Sequence, residues 1–188
     1  HPEDLTRPNV IVILADDLGY GDLGCYGQKR FATPRIDRMA AEGLRFTQFY
    51  AGSPVCAPSR CTLLTGLHTG HARIRGNGTQ DGRPVTLLPE DVTLARALRE
   101  QSYATACIGK WGVGEHGSTG IPNLQGFDYF YGFLNQVHAH FHFPRTLWRD
   151  DTEIPIAGND PDTRTRTPTH TLFTTEALGY IRAHPAAP

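Results

Sequence analysis

The sequence predicts an α/β fold, a largely parallel central sheet flanked by helices. Three observations carry this. Val10-Ile-Val-Ile-Leu-Ala15 is an unbroken apolar, β-branched run, the pattern of a strand buried on both faces. A capped helical segment follows it, opened by Thr33-Pro34 and closed by Gly43. Strand-like and helix-like segments then continue to alternate, as in chains built on parallel sheets.

Taken in order, the first strand ends abruptly in Asp16-Asp17 and a Gly-rich stretch to Gly24. The first helix takes Thr33 as N-cap and Pro34 at N1, with Ile36, Met39 and Ala40 on its apolar side. Leu44, Phe46 and Gln48 alternate with Arg45, Thr47 and Phe49, which predicts a short strand. Residues 59–65 read as a short helix with Pro58 in its first turn and Gly66 as its stop. Residues 67–89 are polar and Gly-rich, hence a loop. Residues 93–101 predict a helix that presents Leu94, Ala97 and Leu98 on one face, and 103–108 a second buried strand. Residues 109–123 read as loop, 127–133 as an aromatic segment that packs locally, 150–168 as a polar loop or insertion, and 171–184 as a terminal helix.

Composition bounds the function. The chain has 188 residues, with Lys+Arg 18 against Asp+Glu 19, a net charge of −1. Hydrophobic residues make up 39% and aromatics 10%, enough for a core and too much for a wholly disordered chain. A near-neutral balance argues against nucleic acid as the partner. No apolar run approaches the length of a membrane span. Four cysteines, at 25, 56, 61 and 107, are too few for a disulfide scaffold and form no C-x-x-C pair. The chain opens on His1 without a charged, then apolar leader; either a signal peptide has been removed or the N-terminus has been trimmed.

Asp16-Asp17 stands at the carboxyl end of the most apolar strand, where open α/β sheets bind ligands. Two adjacent carboxylates there are hard oxygen donors for Ca²⁺ or Mg²⁺, or else an ordinary turn pair. Cys56, just before a helix, is either a small buried hydrophobe or a thiol acidified by the helix N-terminus. Arg60 reads as a surface ion pair and Lys110 as a solvated loop lysine unless a site gathers them. His138, His140 and His142 alternate, so on a strand all three would share one face. That pattern fits a substrate pocket, a zinc site or a half-buried aromatic strand edge, since Phe141 and Phe143 interleave. His68 and His71 follow the short helix and serve loop orientation as readily as substrate; Arg73, Arg75 and Asn77 share that loop.

Residues 56–66 read Cys-Ala-Pro-Ser-Arg-Cys-Thr-Leu-Leu-Thr-Gly. C-x-P-S-R followed by L-T-G resembles the signature of the type I sulfatases, within the alkaline phosphatase superfamily. The likeness extends to Pro8–Asp17, similar to that family's opening strand with two metal-binding aspartates, to Thr33–Gly43, to Gly109-Lys-Trp111 and to Gly126–Gly132. It implies an alkaline-phosphatase-like sulfatase domain, and it marks 1–188 as the N-terminal part of a catalytic domain of the arylsulfatase and N-acetylgalactosamine-6-sulfatase branch. It implies that Cys56 is oxidised to Cα-formylglycine by a formylglycine-generating enzyme. It also implies that Asp16, Asp17 and residue 56 hold Ca²⁺, or Mg²⁺, and that Lys110 contacts the sulfate.

The chemistry implied is hydrolysis of a sulfate monoester, on a sulfated small molecule or carbohydrate. A hydrated aldehyde at residue 56 carries two geminal hydroxyls; one attacks sulfur and the ester oxygen leaves. The second is then deprotonated, and collapse to the aldehyde expels sulfate. Arg60, one turn on, reaches back toward this group. The resemblance further implies a secreted or periplasmic protein with its signal peptide removed. Two other functions share the motif: a phosphonate monoester or phosphodiester hydrolase, and a non-catalytic binding module that retains the site. One departure stands out. Many family members place a histidine two residues after the lysine, and here that residue is Gly112. His138 and His140 are the candidates to replace it, His138 also as a sulfate-pocket residue. The family's Asp-Asn pair and second lysine, expected on a later segment, are absent from these 188 residues.

Overall fold

A computed structural model describes residues 7–80 and 82–184; Asp81, inside the expected 67–89 loop, lies outside them. The chain divides into two compact units, one spanning Ile11–Tyr50 and the other drawn from His1–Val10 and Ala51–Pro188.

The Ile11–Tyr50 unit holds two single-turn 3₁₀ segments, Tyr20–Asp22 and Gly24–Tyr26, and helix α1, Pro34–Glu42. Thr33 takes the N-cap position of α1 as expected, without a side-chain bond to the helix amides; its hydroxyl donates to Asp37 Oδ1 at 2.9 Å and accepts from the Gly24 amide at 2.8 Å. The expected strand at 10–15 forms no ladder among the described residues, and Ile13 is 80% exposed. A strand buried on both faces needs hydrogen-bonded neighbours and covering layers; the described residues supply neither. The expected strand at 44–49 is likewise absent. Leu44 is 79% exposed, and the Phe46 carbonyl accepts from the Tyr26 hydroxyl at 2.8 Å instead of a neighbouring strand.

The larger unit opens with helix α2, Cys56–Thr65. A two-residue hairpin follows, β1 (Thr79–Gln80) and β2 (Arg83–Pro84), then helix α3, Leu94–Glu100. The sheet is built from β3 (Ala106–Lys110), β4 (Tyr129–Phe133), β5 (Thr146–Arg149) and β6 (Thr152–Pro155), side by side in chain order. Helix α4, Thr169–Ala183, closes the unit. The class is α/β and the sheet is mixed. β3 and β4 are parallel, from Ala106 opposite Tyr129 to Lys110 opposite Phe133, whereas β4–β5 and β5–β6 are antiparallel. The antiparallel pairing of β5 with β6 follows from a tight turn at Asp150-Asp151, within the segment expected to be loop. Asp150 takes a left-handed conformation there, with φ 53, as hairpin turns demand. Its carboxylate also accepts from the Phe130 amide at 2.9 Å.

The aromatic segment at 127–133 is therefore a strand, and a central one. Its alternation is hidden because both faces are apolar. Phe130 enters a core with Ala57, Cys61, Leu87, Trp111 and Val113; Tyr131 and Phe133 enter a second core with Leu147, against which Leu172 and Phe173 of α4 pack. Helices thus cover both faces, α2 one and α4 the other. In α3 the buried residue is Ala95, and Leu94 is exposed. Polar anchors set that rotation. The Thr93 hydroxyl donates to the Gln125 carbonyl, and Arg96 donates to the Leu124 carbonyl at 2.9 Å.

Candidate active site

Cys56 does not precede helix α2; it is its first residue. The N-cap is Val55, whose side chain carries no acceptor, so the first-turn amides need one from elsewhere. Asn77 supplies it: its Oδ1 accepts from the Ala57 amide at 2.8 Å. The Ser59 amide donates to the Val55 carbonyl at 3.1 Å, Pro58 sits where no amide is required, and Gly66 ends the helix at φ 68. A side chain at position 56 is thereby held, half-buried, on a fixed helix N-terminus, the polarity that favours anions.

Arg60, 9% exposed, lies one turn along the same helix. Its Nη1 donates to the main-chain carbonyl of Lys110, the last residue of β3. The helix carrying Cys56 and the strand end carrying Lys110 are joined by this bond. Cys107 lies two residues before Gly109 on the same strand; burial pushes its thiol up to about 12, with the Arg60 charge opposing the shift. Burial likewise raises Cys61, which faces the core. Neither thiol suits nucleophilic work.

Beyond the carboxyl ends of β3 and β4, the Trp111 amide donates to the Phe133 carbonyl at 2.8 Å and the Gly112 amide to Leu134 at 3.1 Å. The chains then part around a cleft of about 290 Å³. Its wall includes Asn77, Gly112, Glu115, Asn135, Gln136 and His140. This is the ligand position typical of open α/β sheets, and Asn77 ties it to the first turn of α2.

Gly112 has φ 76, and a Cβ built there would overlap the Gln136 carboxamide, whose Nε2 donates to the Gly112 carbonyl at 3.0 Å. Gln136 thus fills the space a side chain at 112 would claim, which no spacing argument could foresee. His138 and His140 do not lie on a strand. They form one 3₁₀ turn, capped by Asn135 Oδ1, which accepts from the Val137 and His138 amides at 2.7 and 3.0 Å. Only His140 lines the cleft; His138 packs edge-on against Phe133, ring centroids 4.8 Å apart, and desolvation lowers its pKa, with Glu153 opposing. The arrangement dissolves the shared imidazole face on which a zinc site would depend. Glu115, which sequence reasoning passed over, accepts from Asn135 Nδ2 at 2.6 Å.

The remaining candidates are structural in their contacts. Arg73 pairs with Asp91 at 2.6 Å and Glu90 at 2.8 Å, Arg75 donates to the carbonyls of Ala72 and Gly70, and His68 Nδ1 accepts from the Gly70 amide. Asp16 and Asp17 form a turn in the Ile11–Tyr50 unit, Asp17 at φ 58, a conformation that Asp tolerates. Their chemistry fits a hard divalent cation. Among the described residues no three His, Cys, Asp or Glu side chains gather as a metal site.

Comparison with known proteins bears on this geometry. The family model described as Sulfatase matches residues 8–172. The chain is 45% identical over 129 residues to arylsulfatase G of Mus musculus, and 43% identical over 141 residues to steryl-sulfatase of Homo sapiens. These matches take in 67% and 68% of the chain, and 24% of each relative, so the chain spans about a quarter of the length of these curated relatives. Among solved structures, Ps i-CgsB aligns with a TM-score of 0.75 at 27% identity, covering 94% of this chain and 41% of that one. BT4656, in complex with its substrate D-glucosamine-2-N,6-O-disulfate, aligns with a TM-score of 0.72 at 29% identity, covering 94% and 31%.

Proposed function

The chain belongs to the sulfatase family, and from that premise we propose that the protein carrying it is a sulfuric ester hydrolase that uses Cys56, matured to formylglycine, as its nucleophile. The observation that carries this reading is the bond from Arg60 to the Lys110 carbonyl. It brings the C-x-P-S-R helix and the G-K-W strand end to one place, beside a cleft at the carboxyl ends of the parallel strands.

Each residue then has a task. The helix N-terminus, capped by Asn77, presents residue 56 and favours the sulfuryl oxygens electrostatically. Lys110 supplies a point charge for the transferring group, and Arg60 fixes its backbone and adds positive potential. His140, on the cleft wall, exchanges the proton of the departing alcohol. Asp16 and Asp17 would serve as carboxylate donors to Ca²⁺ or Mg²⁺, which when bound would supply Lewis-acid chemistry. A formylglycine-generating enzyme is the maturation partner, and a secreted or periplasmic location belongs to the same reading. In the described residues no helix is long and apolar enough to cross a membrane.

The test is co-expression with a formylglycine-generating enzyme, then mass spectrometry of the peptide containing residue 56. An aldehyde at that residue, sulfate release from an aryl sulfate, and loss of release in Cys56→Ala are the expected results. An active Cys56→Ala protein overturns the mechanism. Faster turnover of an aryl phosphate diester would place the protein with the phosphodiester hydrolases instead.

A further inference from the structure

Asn77 carries no motif and is exposed, in a polar loop 20 residues beyond Ala57. The loop nevertheless holds it in a defined place. On one side Ile74, 1% exposed, packs in the same core as Ala57 and Cys61 of α2. On the other, the Gly78 carbonyl accepts from the amide of Val85, a further member of that core, at 3.0 Å. Arg75 donates to the carbonyls of Ala72 and Gly70 and ties the approach back on itself. Between these anchors, Asn77 Oδ1 accepts from the Ala57 amide at 2.8 Å. That N–H belongs to the planar peptide unit that starts at the Cα of residue 56. Asn77 therefore holds the plane from which the side chain at 56 projects.

The charge of this acceptor is a separate observation. Val55 brings no acceptor side chain to the N-cap. For the helix alone a carboxylate would serve at least as well as a carboxamide, because Asp and Asn rank together as caps and a helix N-terminus favours negative charge. Beside a nucleophile that must meet an anionic ester, a carboxylate would cancel the positive end of the helix and repel the sulfuryl oxygens. Asn77 supplies the acceptor without the charge. We propose that Asn77 is a positioning residue of the reaction: its neutral carboxamide holds the peptide plane of residue 56 for attack and keeps a negative charge away from the turn that meets the sulfuryl group. The proposal rests on the sulfatase reading and adds to it a residue outside both the C-x-P-S-R and the G-K-W segments.

The experiment compares wild type, Asn77→Ala and Asn77→Asp in the matured protein that carries this chain. An aryl sulfate is the substrate and inorganic sulfate the inhibitor; kcat is corrected for the aldehyde content at residue 56, and each protein's urea midpoint is measured. Asn77→Ala removes the acceptor. Its kcat should fall by about 10–100-fold, the scale on which a misplaced reacting group loses rate, with KM changed far less. Asn77→Asp restores the acceptor and adds the charge. It should recover the urea midpoint and most of kcat, while KM and the inhibition constant of sulfate both rise by about tenfold, an increase that added salt narrows. Wild-type kcat in Asn77→Ala overturns the proposal, and so do unaltered KM and sulfate inhibition in Asn77→Asp. An Asn77→Asp protein that keeps its midpoint yet loses kcat as Asn77→Ala does also overturns it. If Asn77→Ala does not fold, the two constants of Asn77→Asp decide alone. A wild type that carries the aldehyde and releases no sulfate overturns the sulfatase reading itself, which the other outcomes leave standing.

Discussion

Arg60 Nη1 donates to the Lys110 carbonyl across a separation of 50 residues. The bond fastens the first turns of α2 to the end of β3, and it makes a side chain of the signature helix a structural part of the neighbouring loop. Replacing it with alanine leaves a carbonyl without that donor, a loss of about 1–3 kcal/mol for a buried group. Arg60→Ala should lower the urea midpoint by a corresponding amount. Arg60→Lys should recover only part of the loss, because an ammonium cannot reproduce the planar fork. Equal midpoints for all three proteins would show that the bond contributes nothing to the fold.

The four cysteines are all free, and they sit in different surroundings. Cys107 is held near 12 by desolvation and Cys61 is raised by the same cause. At pH 8 a thiol-specific reagent should therefore modify Cys61 and Cys107, whose thiols are held protonated, far more slowly than Cys25 and Cys56 in the native protein. Maturation of Cys56 should remove one fast-reacting thiol. Fast native labelling at Cys107 contradicts the burial argument.

At Gly112 two separate obstacles meet a side chain: a left-handed backbone and the Gln136 carboxamide. Gly112→Ala should destabilise the protein by about 1–3 kcal/mol through the backbone alone, with overlap adding to it. In Gln136→Ala the overlap is gone and only the backbone penalty remains. The double variant Gly112→Ala/Gln136→Ala should accordingly be more stable than the sum of the single effects predicts. Strict additivity in thermal unfolding would mean that the two positions do not compete for space.

Much of this was legible in the chain, for reasons that particular residues make plain. The helix at 34–42 and the stop at Gly66 depend on local chemistry: a Pro at N1, a glycine able to reach the left-handed region. The C-x-P-S-R and G-K-W segments were recognisable as motifs without any knowledge of their distance. What was illegible was decided by long-range partners. A strand such as Tyr129–Phe133, apolar on both faces, shows no alternation to read. The run at Val10–Ala15 has strand composition and no described ladder. The alternation of His138 and His140 predicts one shared face, but Asn135 caps the segment into a 3₁₀ turn. Glu115 and Gln136 carry no motif, and only the pairing of β3 with β4 places them on one cleft.

Asp16 and Asp17 together offer at most a few of the 6–8 oxygens that Ca²⁺ takes. These 188 residues on their own should bind Ca²⁺ weakly in a calorimetric titration and release no sulfate. A longer chain, or a second polypeptide supplying the remaining ligands, should restore both. Tight binding by the 188 residues alone would show that the ligands have been assigned to the wrong side chains.

His138 and His140 are two residues apart, yet their surroundings assign them different work. His138 packs on Phe133, and burial depresses its pKa below the ordinary 6.5, with Glu153 opposing. In the window between that depressed value and 6.5 the unfolded chain binds more protons than the folded one, so stability falls as pH falls through it. His138→Phe should flatten this slope in pH-dependent thermal unfolding. His140 stands on the cleft wall, where general acid–base help is worth about 10²–10⁴-fold. His140→Ala should lower kcat within that range and leave the pH slope of unfolding intact. His138→Ala should lower the melting temperature and affect kcat far less. Equal losses of kcat in both variants would place the two imidazoles in one catalytic pocket and refute the division. Wild-type kcat and KM in both would make the whole turn structural and leave the departing alcohol to another proton donor.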